Sequence, residues 1–379
     1  MPPHIRIRSD FSDGLESKLL RKVCHRRGCR DVYVGYFRRF GFSGARLLLV
    51  YFKKQPGGLP FLLKVAEFKK AKDEHIATKI LESDVQDARF AVDCVFSAVD
   101  SKEKWGALLY EHRGADRPAE AAAPRVLRDL VYDAKLSIGD LRLILTKVFD
   151  RLDNAHSNYS LKKRSLTPHF KRYFRNHVAR GKICGVLGQD ANRNEITFLG
   201  ARIYNPLKYL NSLPRYANLA VARVHGDLHP DNIVIDRDQI PHLIDFAWAH
   251  RSRDVLVDFA LLENSVRFMA FAFAGAINLS DQLNVDRALL DENGFKQIRS
   301  LNLASPARRK DYARLGCVIG VIRKRARTLL GNQFSMQRYL LTQFILLYGL
   351  LRYKDYEIYI GTRALGLIAA RLRKIGLPS

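Results

Sequence analysis

"VHGDLHPDNIVID" spans residues 224–236, and "IDFAWAH" follows at 244–250. The first places His225, Asp227, His229 and Asn232 at the mouth of a short apolar strand, and the second sets Asp245 after another. Such residues are poor strand formers and costly to bury without partners, so packing does not explain their choice. The runs "IVID" (233–236) and "PHLI" (241–244), joined by "RDQI" (237–240), read as a β-hairpin. Symmetric pairing sets Ile233 opposite Ile244, Val234 opposite Leu243 and Ile235 opposite His242; one further step sets Asn232 opposite Asp245. Directly opposed residues hold their β-carbons about 4.5–5.5 Å apart. An amide oxygen and a carboxylate would then converge at one end of the hairpin. That pair suits Mg2+, which accepts few protein ligands and completes its shell with water and phosphate oxygens. Pro241, which lacks a donor, pushes its strand toward an edge position.

Asp227 lies five residues before Asn232, in the loop entering the hairpin. A free Asp titrates near about 3.9, so at neutral pH it is an anion and a weak base. Phosphoryl transfer asks little more, because its transition state is loose and the base orients a hydroxyl and takes its proton late. Asp and Asn singly are common turn caps. It is the whole pattern, His-Gly-Asp-x-His-x-x-Asn joined to strand, turn, strand and Asp, that points to chemistry.

The run "HGDLHPDN…LIDF" resembles the aminoglycoside phosphotransferase and choline kinase-like family of the protein-kinase-like fold, through His225, Gly226, Asp227, His229, Asn232 and Asp245. The context "LIDFAWAHRSRDVLVDFALLE" (243–263), with "YNPLKYL" (204–210), is similar to a bacterial, ternary-complex-associated branch of that family. The resemblance implies an α+β fold of two lobes, a small sheet-rich N-lobe and a large helical C-lobe. It implies an ATP- and Mg2+-dependent phosphotransferase acting on a hydroxyl acceptor, a small molecule being favoured. Asp227 becomes the catalytic base, and Asn232 and Asp245 the metal ligands. His225 is expected to brace the catalytic loop, His229 to touch phosphate, and Asp258 to anchor the loop from a helix start. Phe246 and Trp248 read as core.

The small lobe of such a fold supplies a nucleotide clamp. "RRFGFSGARLLLVYF" (38–52) holds Gly41, Ser43 and Gly44 between strands, and glycines let backbone N–H groups approach phosphates. "PFLLKVAE" (60–67) carries Lys64 inside an apolar strand, which is expensive unless the ammonium is paired or meets phosphate. On the following helical stretch (67–81), Ala71, Glu74, Ala77 or Thr78, and Leu81 share a stripe. Glu74, with Glu67 as its competitor, would orient Lys64 as the lysine–glutamate pair of kinases does. By analogy with kinases, "WGALLYEHRG" (105–114) is the hinge, with Glu111 and His112 beside the adenine. No P-loop pattern GxxxxGK[ST] occurs.

These readings divide the chain into a basic N-terminal extension (1–30), the N-lobe (31–112) and the C-lobe (113–379). The C-lobe holds the catalytic loop (225–232), the metal-binding segment (244–247) and a basic insert (157–215). The 379 residues, 47% hydrophobic and 27% charged, describe a globular chain with room for two cores. The longest apolar runs, 268–279 and 340–351, fall short of the roughly 20 residues a membrane span needs and read as buried helices. The first residues lack the apolar core of a signal peptide, so a cytoplasmic protein without a transmembrane segment is expected. Cys24, Cys29, Cys94, Cys184 and Cys317 show no framework or metal spacing and read as free thiols.

The net charge of +26 is the compositional outlier. Basic runs at 21–30, 161–182, 306–310 and 323–327 suit an anionic substrate or nucleic acid, or are simply solvated surface. In the second run Phe170, Tyr173 and Phe174 interleave with the charges, which fits base stacking or an ordinary amphipathic helix. Two other functions therefore stand beside the enzyme. One is a catalytically silent nucleotide-binding regulatory module of a multi-protein defence or signalling system; the other is a nucleic-acid-binding protein on a kinase-like scaffold. The acceptor stays open among antibiotic, sugar, lipid head group, protein and nucleic acid.

Overall fold

The computed structural model describes residues 6–8, 15–36, 46–52, 61–81, 94–95, 105–111, 125–174, 176–236, 238–271, 278–298, 301 and 308–376. The first part of the chain runs β1 (Arg6–Arg8), α1 (Leu15–Arg26), β2 (Asp31–Tyr36), β3 (Arg46–Phe52), β4 (Phe61–Glu67), α2 (Phe68–Leu81), β5 (Cys94–Val95) and β6 (Trp105–Glu111). The strands form one sheet in the order β1-β2-β3-β4-β6-β5, antiparallel apart from the β1–β2 pair.

Strand alternation decides what each face of this sheet does. On β4, Phe61, Leu63 and Val65 point to one side and join Val32, Val34, Leu48 and Leu109 in a core closed by Leu19, Leu20 and Val23 of α1. Leu62 and Ala66 point the other way, onto Ala71 of α2 and onto Val126, Val234 and Ile244 of the large lobe. Lys64 shares the parity of Leu62 and Ala66, so it faces the cleft. The expected extension at 1–30 is therefore not an appendage over its described part. Its 3-residue strand and apolar helix stripe complete the small lobe, because the back of the sheet needs a cover.

The large lobe is mainly helical and holds the bigger core. Its long helix Ile138–Ser157 is capped by Ser137, whose hydroxyl accepts from the Asp140 N–H, and it buries Leu141, Ile144, Leu145, Val148, Phe149 and Leu152 along one stripe. The buried Arg314 donates to the carbonyls of Leu130, Val131 and Leu136, closing the end of the short helix Leu127–Val131. The apolar run 340–351 lies in the buried helix Met336–Leu350. Of 268–279, the described part begins within a π-helical turn, Val266–Phe271. No described helix is long and apolar enough to cross a membrane.

Within 157–215, Ser160–Ser165 pairs with Tyr216–Val224, which also pairs with His250–Asp254. Phe170 and Tyr173 are buried in the main core, so these two rings offer no stacking platform for bases. Nor is the run 323–327 all surface. Arg323 is 2% exposed and donates from Nε and Nη2 to both carboxylate oxygens of Glu263. Arg267 bridges Glu263 to Asp286, and Arg363 reaches Asp286 from the last helix. A sheet-rich lobe set over a helical lobe is the α+β arrangement of the protein-kinase-like fold.

Candidate active site

The cleft between the lobes is lined by β4, α2, the loop 225–232 and the turn after Leu243. Lys64 Nζ lies 2.7 Å from Glu74 Oε2 and 2.7 Å from Asp245 Oδ1, so one ammonium joins a small-lobe helix to the large lobe. Burial alone would depress the Lys64 pKa, but the Asp245 and Glu74 carboxylates outweigh it and the pKa is raised. Asp245 is held below the usual carboxylate range, Lys64 overcoming the penalty of burial. Glu67 faces solvent beside Lys70; the helix stripe brings Glu74, 1% exposed, to the lysine instead.

The hairpin forms, but one residue out of the expected register. Ile233 pairs with Leu243, Val234 with His242 and Ile235 with Pro241. The reason is the turn. Asp236 accepts from the Ile240 N–H and from His242 Nε2, and its own N–H donates to the Ile240 carbonyl, so the loop holds residues 236–240 rather than 237–240. Ile244, not Asp245, is then bonded to the Asn232 carbonyl. Asp245 leaves the ladder in the left-handed region, with φ 62° and ψ 64°, a conformation Asp tolerates better than most side chains. From there its carboxylate meets Lys64.

Asp258 holds the loop 225–232. Its Oδ2 accepts from the His225 N–H at 2.8 Å and its Oδ1 from the Gly226 N–H at 2.7 Å. His156, at the end of the long helix, donates from Nε2 to the same carboxylate at 2.9 Å. Gly226 has φ +77°, and a Cβ there would overlap the Trp248 carbonyl, so only glycine fits between loop and turn. His225 Nδ1 accepts from the Asp227 N–H, which leaves Nε2 to donate to the Ile244 carbonyl at 3.0 Å. Its ring braces the loop against the hairpin. His229 Nδ1 accepts from the Asp231 N–H, and burial pushes its pKa down to about 4.

Asp227 is partly buried, and desolvation raises its carboxyl to about 6 against the pull of Arg172. Asn232 donates from Nδ2 to the Asp227 carbonyl at 2.9 Å, fixing the amide so that its oxygen is the atom left to ligate. Gly41, Ser43, Gly44 and His112 lie outside the described residues. Glu111 ends β6, where it pairs with Phe61. Two residues of this site went unread in the sequence, His156 and Arg172. Trp248, read as core, is in contact with the Arg172 guanidinium.

The two lobes together make a protein-kinase-like fold. Residues 172–348 match the family model described as Ternary complex associated domain 9. A search of curated proteins finds no match. Among solved structures the chain is similar to a thermostable mutant of aminoglycoside phosphotransferase APH(4)-Ia in its apo form, at 13% identity, with 94% of this chain and 99% of that chain covered and a TM-score of 0.46. It is also similar to aminoglycoside phosphotransferase APH(3'')-Id from Streptomyces rimosus, at 16% identity, 80% and 98% coverage and a TM-score of 0.37. A third is choline kinase LicA from Streptococcus pneumoniae, at 12% identity, 90% and 100% coverage and a TM-score of 0.36.

Proposed function

We propose that this chain is an ATP- and Mg2+-dependent phosphotransferase that moves the γ-phosphoryl group to a hydroxyl acceptor. The observation that carries the reading is the Lys64 ammonium, held 2.7 Å from both Glu74 and Asp245 in the cleft that also holds Asp227. Glu74 aims Lys64 at the phosphates. Asp227 accepts the proton of the acceptor hydroxyl as its oxygen bonds phosphorus and the bond to the β-phosphate oxygen breaks. Burial that raises the Asp227 pKa makes it a better proton acceptor than a solvated carboxylate. Asn232 and Asp245 offer the hard oxygens that fit Mg2+, which when bound neutralises charge on the phosphates.

The test is ATP binding by the full chain, followed by transfer of labelled phosphate across neutral, cationic and anionic hydroxyl compounds. Asp227→Asn is expected to lower transfer by about 10²–10⁴-fold while ATP affinity stays within about twofold. Undiminished transfer would remove Asp227 from the reaction, and a parent protein that binds no ATP would end the reading. The match to a ternary-complex-associated family supports a second reading, a nucleotide-binding module that serves a multi-protein assembly. ATP binding without turnover on any acceptor would favour it.

A further inference from the structure

A cavity of about 360 Å³ opens where the helix Arg309–Leu330 meets the long helix Ile138–Ser157 and the short helix Gly294–Gln297. None of its lining residues belongs to the cleft between the lobes. Helical spacing builds one wall, where Gly316, Gly320 and Lys324 follow at every fourth position beside Cys317 and Val321. Arg142 and Thr146, one turn apart, form the facing wall. Phe295 lies against the glycines, so closely that a Cβ on Gly320 would come within 2.8 Å of its ring.

Floor and rim differ in chemistry. Phe295 and Val321 are 8% and 9% exposed, and the buried Cys317 turns its thiol to the Ile138 carbonyl at 3.9 Å. With the bare backbone of Gly316 and Gly320 they make an apolar floor. Four cations stand around it: Arg142, Lys296, Lys324 and Arg325. Arg325 is balanced by Asp150 and Asp153, its Nη2 lying 2.8 Å from Asp153 Oδ2. The other three are exposed and have no acidic partner among the described residues. The acids just before Phe295 are paired elsewhere, Asp291 with Arg371 and Glu292 with Arg327.

Small-molecule sites are commonly cavities of roughly 300–1,000 Å³ with an apolar lining and a few placed charges. This one is near the lower end, with room for a single ring system or a short chain. An exposed ion pair is weak, so the rim by itself would not retain a bare anion. The floor by itself would not prefer an anion to an uncharged molecule. A ligand that answers both has a compact apolar body, and a dianionic head matches three unbalanced cations better than a single negative charge does.

We infer that this cavity binds a compact phosphomonoester, its apolar body on Phe295 and Val321 and its phosphate among Arg142, Lys296 and Lys324. The site is separate from the cleft and does not depend on the phosphotransferase reading.

The test is calorimetry on the full chain with 1-naphthyl phosphate, at constant ionic strength and with ADP and Mg2+ in excess to compete for the cleft. One saturable site is expected, with inorganic phosphate and 1-naphthol each at least about tenfold weaker. Lys296→Gln combined with Lys324→Gln changes two exposed side chains and should leave the urea midpoint where it was. It is expected to weaken 1-naphthyl phosphate about tenfold. Thr146→Trp fills the cavity from its wall and is expected to abolish binding with both lysines in place.

No saturable binding in the parent would overturn the inference. Inorganic phosphate binding as tightly as the ester would reduce the site to surface charge, and 1-naphthol doing so would reduce it to an apolar void; either result overturns it. An affinity unchanged by the double lysine variant or by Thr146→Trp would place the probe elsewhere and overturn it as well.

Discussion

Lys64 lies between two carboxylates, and Glu74 is 1% exposed. Lys64→Met should therefore cost about 3–5 kcal/mol, because it removes the charge set between two carboxylates. Adding Glu74→Gln should recover a good part of that loss, because the second change removes the stranded charge. Urea denaturation of the two variants measures it, and a double variant less stable than the single one would refute the coupling. Gly226 presents a different constraint. Gly226→Ala has no room beside the Trp248 carbonyl and is strained at φ +77°. It should displace Trp248 and lower transfer at least about tenfold even where the fold survives. Lys64 and Glu74 were legible in the sequence because period-two and helical spacing show which side chains share a face. Arg172 was not, since nothing local marks one arginine in a basic run as the one whose charge acts on Asp227.

The elements around the cleft were legible as types and less so as registers. The apolar runs ending at Phe52 and Glu67 hold the strands Arg46–Phe52 and Phe61–Glu67, and the stretch after Glu67 is a helix. The hairpin was foreseen, but its pairing turned on whether Asp236 belongs to a strand or closes the turn, and its side-chain bonds to the Ile240 N–H and to His242 settled that in favour of the turn. Asp245 still arrives in the cleft by its left-handed backbone rather than by sitting opposite Asn232. The loop 225–232 depends on a partner 33 residues onward from His225. Asp258→Ala removes the acceptor for two backbone amides and for His156. It should erase the slow hydrogen exchange of the His225 and Gly226 amides, and destabilise the protein by about 3 kcal/mol or more. Retained protection at those amides would show that the anchor is dispensable. The His156 contact, across 102 residues, is a tertiary meeting that no local pattern announces.

Across the whole molecule, buried charge is used on a scale that the composition conceals. Glu263, Arg323, Arg267, Asp286 and Arg363 form one connected network inside the large lobe, with Tyr339 donating to Glu263 at 2.9 Å. Glu263→Gln strands Arg323 and should lower stability by about 3–5 kcal/mol, read as a fall in the urea midpoint. A midpoint within error of the parent would mean the network is not load-carrying. Acid sensitivity has a separate source in His169, whose Nε2 accepts from the Asp254 N–H. Burial, helped by Arg253, His250 and Arg164, lowers its pKa to about 4. The folded state thus disfavours the proton that the unfolded chain takes up near about 6.5. Its stabilising contribution is complete above that value and declines as pH falls toward 4. His169→Gln, which keeps an acceptor for Asp254, should flatten the dependence of the urea midpoint on pH between about 6.5 and 4.

The docking of α1 onto the back of the small sheet has a practical reach. A version trimmed to start at residue 31 would uncover the apolar face that Leu19, Leu20 and Val23 seal, and free the β2 edge now occupied by Arg6–Arg8. An open strand edge beside bare apolar surface is a template for self-association. Such a shortened protein should elute as soluble aggregate or precipitate on expression, and any boundary drawn between a disposable leader and a working lobe has to fall before Arg6.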